Sequence, residues 1–406
     1  PAMARVIRNE MGETARKPMK TRRFGRVAKF ALALGAAAAV ILACELAARW
    51  LSLAPKVKAV WLSNEASADV VYRRSANPIL GFELKPGYRN ENADHRTTYS
   101  STNSHGQRDV ERTTDKPPGT RRVIVLGDSV VEGHGLPDID ATISRQLERV
   151  ISDGRTEVLN FGVSGYCTRS EIELLETKGL QFEPDVVILV FVENDFDNFS
   201  PEAFQLGTAV DRPALVKHLF VDSHLFRLTC LKLNLFRFGD DADPLKWNQR
   251  AIGENNVVTG FARFRELAEE HGFLPLVAVW PHFDDSEIQN LPLMPDGSGD
   301  LVVERVAELY GLPTVRLSEG FAAHWKSLGG AISPRQRYTV EGDQLHPNEE
   351  AATVAAEALR DVLVALDAGK YRLSEPAVKD PAQRSAIVAA ALSLGKEHEP
   401  DYAMVY

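Results

Sequence analysis

Apolar residues recur along this chain in two patterns whose alternation sets the expected fold. Val123-Ile124-Val125-Leu126 is a run with no polar alternation, broken at Gly127-Asp128-Ser129. Such a run reads as a strand covered on both faces within a parallel sheet. Glu157-Val158-Leu159-Asn160-Phe161 reads as a second strand, leading into Gly162-Val163-Ser164-Gly165, and residues 185–192 as a third, ending at Glu193-Asn194-Asp195. Ile143, Leu147, Val150 and Ile151 keep helical spacing, which predicts a helix over 141–152, and a second is expected over 170–178. Helices over 251–271 and 301–310, strands over 274–280 and 313–317, and a long amphipathic helix over 349–366 continue the alternation. Strand followed by helix, repeated, predicts an α/β fold with helices on both faces of a parallel sheet.

The amino-terminal pattern is different. Arg16, Lys17, Lys20, Arg22, Arg23, Arg26 and Lys29 precede the segment 30–44, which carries no charge. That stretch is short of the ~20 apolar residues that cross a bilayer. Leu46, Ala47, Ala48, Trp50, Leu51 and Leu53 extend it, and Glu45 and Arg49 stand four apart, where they can pair on one helix face. A retained transmembrane signal-anchor helix over 27–54 is expected, with the basic arm 1–26 cytoplasmic, Trp50 in the interfacial belt and the remainder outside. Ile41-Leu42-Ala43-Cys44 also resembles a lipobox, which would leave a lipid anchor at Cys44 instead. A buried helix of a soluble protein is the third reading, against which the basic flank argues.

Residues 55–120 are polar and punctuated by Pro and Gly, as in Lys85-Pro86-Gly87, and read as an ordered connector or small β-appendage, with 97–103 as an edge strand. A flexible linker is the alternative. In the insertion 196–250, Leu225, Leu228, Leu231, Leu235 and Phe238 recur at helical spacing with Arg227, Lys232 and Arg237 on other faces. Three readings stand: a lid over the site, a basic amphipathic surface against anionic lipid or a membrane partner, and plain core packing. In the tail 369–406, Asp380-Pro381 and Gly395 bracket a short helix.

Composition narrows the function. A net charge of −9 over 406 residues argues against nucleic-acid binding, which needs a basic face. Three scattered cysteines, Cys44, Cys167 and Cys230, make no disulfide framework, although a Cys167–Cys230 bridge is open to an exported domain. No Cys-x-x-Cys or His-Glu-x-x-His spacing proposes a metal, and no cofactor is expected.

The candidate chemistry lies at the strand ends, where ligands collect in open α/β sheets. Ser129 there is a candidate nucleophile. Far downstream, Asp343-Gln344-Leu345-His346-Pro347 places a carboxylate three residues from an imidazole, so that Asp343 can orient His346 and stabilise its protonated form. Together they make a nucleophile, base and orienter set. Asp128 and Asp195 read as loop-fixing hydrogen bonders and Asn160 as a turn residue. Glu132, His134, Glu193 and His282 are possible substrate-rim residues.

Gly127-Asp128-Ser129, Asn160 with Gly165, Asn194-Asp195 and Asp343-x-x-His346-Pro347 occur in the order and approximate spacing of the SGNH (GDSL-type) hydrolase family, which residues 122–366 resemble. The resemblance implies a flavodoxin-like three-layer α/β/α sandwich over 121–368. It also implies Ser129 as nucleophile, His346 as base and Asp343 as its orienter, with an oxyanion hole from the Ser129 and Gly165 N–H groups and the Asn194 side chain. Val192 stands where the family often has glycine, and Glu193 follows it, which narrows or reshapes the pocket. The nucleophile elbow Gly-x-Ser-x-Gly is absent. Membrane-anchored members of the family act on cell-surface polysaccharides beside membrane-bound O-acyltransferases. The resemblance therefore implies a serine esterase or O-acyltransferase acting on an acylated, chiefly acetylated, carbohydrate at a bacterial-type inner membrane, with such an acyltransferase or another membrane protein as partner. A non-catalytic subunit of a membrane assembly is the alternative from another class.

Overall fold

The computed structural model describes residues 25–54, 56–59, 71–90, 101–196, 212–238, 251–283, 299–343, 345–395 and 402–405. Arg26–Trp50 is one uninterrupted helix, α1. Its alanine-rich, uncharged middle favours helix on propensity alone. Phe30, Leu32, Leu34, Ile41 and Leu42 are all exposed. Ala28–Trp50 is long and apolar enough to cross a membrane, with mean hydropathy 2.2. The expected Glu45–Arg49 pair forms at 2.6 Å.

Strand β1 (Lys56–Ala59) pairs in parallel with the last strand of the chain, Tyr402–Val405. Strands β2 (Tyr72–Arg74) and β3 (Phe82–Leu84) form an antiparallel hairpin. Val71, Leu80, Phe82 and Leu84 are buried in the same apolar cluster as Ile124, Leu159 and Phe161 of the main sheet. Burying a residue such as Phe82 contributes ~1.5–3 kcal/mol. The hairpin of β2 and β3 is thus packed into the main core. Of the expected edge strand, 97–100 lie outside the described residues, and Ser101 makes a single antiparallel bridge to Arg89.

Five strands form the main sheet: β4 (Arg121–Gly127), β5 (Thr156–Gly162), β6 (Val186–Phe191), β7 (Leu274–Val279) and β8 (Thr314–Arg316). All neighbours are parallel, in the order β5-β4-β6-β7-β8. The first strand in sequence thus lies second in the sheet, the doubly wound order of flavodoxin-like folds. Alternate residues face opposite layers. Ile124 and Leu126 join Val187, Leu189 and Phe191 on one side, while Val123 and Val125 join Val186, Ile188 and Val190 on the other. Helices cover both sides, so the strands need no polar face and read as continuous apolar runs.

The turn after β4 carries a short helix, α2 (Ser129–Glu132), and α3 (Ile143–Ile151) and α4 (Thr168–Leu174) follow. Two insertion helices, α5 (Ala214–Asp222) and α6 (His224–Leu233), precede α7 (Asn256–His271) and α8 (Gly299–Leu309). The chain continues through α9 (Ser318–Ser327), α10 (Pro334–Tyr338), α11 (Glu349–Asp367) and α12 (Pro381–Leu394). The layer of α4, α7, α8 and α12 covers one face of the sheet, and that of α3, α9 and α11 the other. Helix α12 is capped by Asp380, as its sequence predicts, and packs on α8.

Helices α5 and α6 pack on each other around Phe220, Cys230 and Phe238, and α6 sits on the end of α1. Of the apolar residues at helical spacing, Leu231 and Phe238 join this small core, while Leu235 stays exposed. Residues 197–211 and 239–250 of the insertion lie outside the described residues. Cys167 and Cys230 are separately buried free thiols, so the bridge left open by the sequence is not formed.

Candidate active site

Ser129 opens α2 where β4 ends. Asp128 caps this helix, its side chain accepting the Val130 N–H at 2.9 Å, and Gly133 closes it at φ +85°, a left-handed conformation suited to glycine. The helix lies close against the sheet because Gly162 has no side chain. A Cβ there would stand 2.1 Å from the Glu132 backbone nitrogen. Asn160, inside β5 and not in a turn as its sequence suggested, donates to the Val131 carbonyl at 2.9 Å and accepts from Gly162 N–H at 2.9 Å. The Ser129 turn is thus tied to two strands.

His346 reaches Ser129 from the loop between α10 and α11. Asn348 caps α11 by accepting the Ala351 N–H at 3.0 Å, and the loop before it closes on itself. Val340 N–H donates to the His346 carbonyl, and Asp343 N–H to that of Val340. One oxygen of Asp343 accepts the backbone N–H groups of Leu345 (2.8 Å) and His346 (3.0 Å). The other meets His346 Nδ1 at 2.8 Å. On the far side of the ring, His346 Nε2 lies 2.9 Å from Ser129 Oγ. Burial pushes the Asp343 carboxyl up. The two backbone N–H groups and the imidazole outweigh it and hold the group well below the usual carboxylate range. Asp343 is therefore ionised at neutral pH, its partner Nδ1 is the donor, and Nε2 is left to accept the serine proton.

The remaining predicted site residues surround this line. Asn194, in a short 3₁₀ turn after β6, donates through Nδ2 to Asp128 at 3.0 Å. A primary amide has two N–H groups, so one fixes the side chain and the other is available to an oxyanion. Asp195 accepts the Val192 N–H at 3.2 Å and so closes that turn. Gly165 lies at φ +79° in the turn after β5. Val192 is buried against the sheet. Glu193 and His282, from adjacent strand ends, pair at 2.7 Å and are both partly exposed.

Glu132 is not on the rim. It is fully buried, because α2 turns its side chain inward beneath the Ser164–Gly165 turn. There it accepts the Ser164 N–H and the Tyr72 hydroxyl, the latter at 3.2 and 3.3 Å to its two oxygens. Burial raises its pKa, while Ser164, Arg108 and Tyr72 lower it, and the net shift is upward. His134 stands against the His346 imidazole, the two ring centroids 4.4 Å apart. Burial, followed by the neighbouring His346, lowers its pKa to about 4. It is a neutral wall at pH 7.

Two supports escaped the sequence reading. Arg108, buried, donates to the Glu132 carbonyl at 3.1 Å and to those of Gly133 and Leu136, covering the end of α2. Tyr72 and Phe82 of the appendage complete the underside, Phe82 packing edge-on against Tyr166 with ring centroids 5.2 Å apart. No spacing links an arginine or tyrosine of a connector to a serine so far along the chain.

No protein-family model matches this chain, and no curated protein matches it in sequence. Among solved structures, it is similar to a two-domain esterase active on acetylated mannans at 15% identity and TM-score 0.36. That match covers 64% of this chain and spans about half (53%) of the other. An acetyl xylan esterase matches at 15% identity and TM-score 0.35, covering 60% of this chain and 99% of its own. A lipase/acylhydrolase from Enterococcus faecalis matches at 17% and 0.34, covering 63% and 100%. Chains this distant share at most a fold, and the chemistry is read from this chain's own residues.

Proposed function

We propose that this chain is a serine ester hydrolase or O-acyltransferase of the SGNH type, tethered to a membrane by α1 and acting on acyl, chiefly acetyl, esters of a cell-surface or exported polysaccharide. One observation carries the chemistry: the continuous line Ser129 Oγ, His346 and ionised Asp343, with spacings of 2.9 and 2.8 Å, at the carboxyl end of a parallel sheet. In this reading Ser129 Oγ attacks the ester carbonyl carbon while His346 Nε2 takes its proton. Asp343 stabilises the imidazolium, and the Ser129 and Gly165 N–H groups with Asn194 Nδ2 receive the oxyanion. Collapse expels the sugar hydroxyl, which takes its proton from His346 and leaves an acyl-Ser129. Water or an acceptor hydroxyl, deprotonated by His346, then attacks the acyl carbon and restores the serine. Hydrolysis and transfer differ only in that last nucleophile.

A cleft of about 710 Å³ lies on the outer side of the Asp343 loop, lined by Leu136, Pro137, Arg335, Gln336, Val340 and Glu341. The polysaccharide itself rests on the motif resemblance. The basic residues before α1 support a cytoplasmic amino terminus and a site outside the membrane.

A fluorophosphonate probe should label the purified full chain at Ser129 and leave Ser129→Ala unlabelled. No labelling of the wild type, or equal labelling of the variant, overturns the enzyme reading in favour of a non-catalytic subunit. Incubation with an acetylated glycan, with and without an acceptor sugar, distinguishes released acetate from transferred acetyl groups. Protease added to intact spheroplasts should digest the region beyond α1. Protection there reverses the topology.

A further inference from the structure

Glu45 is the feature of α1 that membrane insertion alone does not explain. A carboxylate in the last turns of an apolar span is costly unless its oxygens are occupied. Here they are occupied by the insertion. Ser223 Oγ donates to Glu45 at 2.7 Å, and the backbone N–H groups of His224 and Leu225 at 3.0 and 2.8 Å. The carboxylate thus sits on the N-terminus of α6, where orphan donors and the helix dipole both favour an anion. Arg49, four residues on, pairs with Glu45 and donates to the Asp222 carbonyl at the end of α5. Only 16% of the Glu45 side chain is exposed. The α5–α6 pair is therefore latched to the span at a defined height, about 7–8 Å below Trp50 at 1.5 Å per residue.

The pair is also finished internally. Phe220 stacks on Phe238 with centroids 3.9 Å apart, Arg212 lies over Phe238 at 4.1 Å, and Arg227 donates to the Phe220 and Val221 carbonyls that end α5. Even so, Leu215 (70% exposed), Leu233 (66%) and Phe236 (49%) stay outside that small core. Leu46 and Trp50 of α1 and Leu51 just after it are exposed too, as are Lys232 and Arg237 beside Leu233 and Phe236 in sequence.

We infer that α5 and α6, with the turn to Phe238, lie in the bilayer–water interface beside α1, with Leu215, Leu233 and Phe236 immersed at the level of the lipid headgroups and upper acyl chains. The occupant of this apolar surface is lipid. The latch sets the depth, because the α6 N-terminus is fixed to a residue inside the last turns of the span. Interfacial helices sink their apolar faces ~5–10 Å into the same boundary, which matches the height of Glu45 below Trp50. Lys232 and Arg237 suit an anionic leaflet. The consequence is a second, non-spanning membrane contact, which holds the site at a fixed attitude to the surface where a single span would let it swing. This inference rests on α1 spanning a membrane.

Spin labels on the full chain test it, in a Cys44→Ser background whose other two cysteines are buried. Leu34→Cys, Leu233→Cys, Phe236→Cys and Lys326→Cys are labelled singly. Each is placed in vesicles of phosphatidylcholine and phosphatidylglycerol, and collision with oxygen is compared with collision with a water-soluble nickel chelate. Oxygen should dominate severalfold at 34, 233 and 236, and the chelate at 326. Chelate dominating at 233 and 236 while oxygen dominates at 34 overturns the interfacial seat and leaves the span intact. Chelate dominating at 34 overturns the span and the seat with it. A label at 236 shielded from both reagents overturns lipid as the occupant in favour of a protein surface.

Discussion

Ser129 and His346 face each other across 2.9 Å but stand on supports built in opposite ways. The Ser129 turn is fixed from beneath by buried groups from remote parts of the chain. Tyr72 and Ser164 meet on Glu132, Asn160 bonds to Val131, and Arg108 covers the carbonyls of Glu132 and Gly133 at the end of α2 and that of Leu136 beyond it. The His346 loop is fixed almost wholly by itself. Asp343 receives N–H groups two and three residues on, and the backbone closes between Val340 and His346. Side-chain exposures of 28% for Asp343 and 20% for His346 leave that loop at the surface. A buried polar group without its partner costs far more than an exposed one. Damage to the first support should therefore reach stability, and damage to the second should stay in the chemistry.

The largest effect should come from the residues common to both. Ser129→Ala and His346→Ala should each lower kcat by about 10⁶-fold, with little further loss when combined. Asp343→Asn should lower it by about 10⁴-fold while changing the denaturation midpoint little. A large loss of stability in Asp343→Asn would remove the contrast between the two supports. Next, Asn194→Ala should reduce kcat by about 10²–10³-fold with KM little changed. A rise in KM with kcat intact would make Asn194 a binding residue.

On the other side, Glu132→Ala orphans the Ser164 N–H and should cost about 1–3 kcal/mol in urea denaturation. Glu132→Gln keeps an acceptor for that N–H and should recover most of the stability. Equal destabilisation by both would mean that the charge matters and the hydrogen bond does not.

The smallest effect concerns acid. His134 has a folded pKa near 4, below the ~6.5 of an unfolded histidine. Between these values the unfolded chain binds the proton and the native one does not, so stability contributed by His134 falls as pH drops from about 6.5 to 4. With part of the ring in contact with solvent, about 1–2 kcal/mol is expected. Buried Asp109, raised to about 6 by desolvation, acts with the opposite sign across much of this window. The difference between wild type and His134→Phe isolates the histidine. Parallel stability curves for the two proteins between pH 6.5 and 4 would show that His134 titrates normally.

The same contrast separates what could be read early from what could not. Asp343 and His346 are three residues apart, and their geometry follows from a tight turn before a capped helix. Ser129 follows an unmistakable buried strand. Glu132 follows it just as closely, yet was expected at the rim, because a charged residue one turn after a strand is usually solvated. Ser164, Arg108 and Tyr72, each from another part of the chain, make its burial tolerable. The insertion repeats the lesson. Its helical spacing was visible, but Leu231 and Phe238 pack within their own small core, and Glu45, some 180 residues earlier, receives the α6 N-terminus.

By itself the sequence determined the parallel sheet, the apolar amino-terminal helix and the three residues of the hydrogen-bonded line. Each is written in short-range terms: continuous apolar runs, a charge-free stretch, and an Asp and a His separated by one turn. Tertiary structure alone decided which buried acid supports the Ser164–Gly165 turn, that the connector underpins the serine, and that the insertion is seated on α1. Those choices depend on pairing desolvated polar groups across long sequence separations, where burial makes the right partner indispensable and no local pattern announces it.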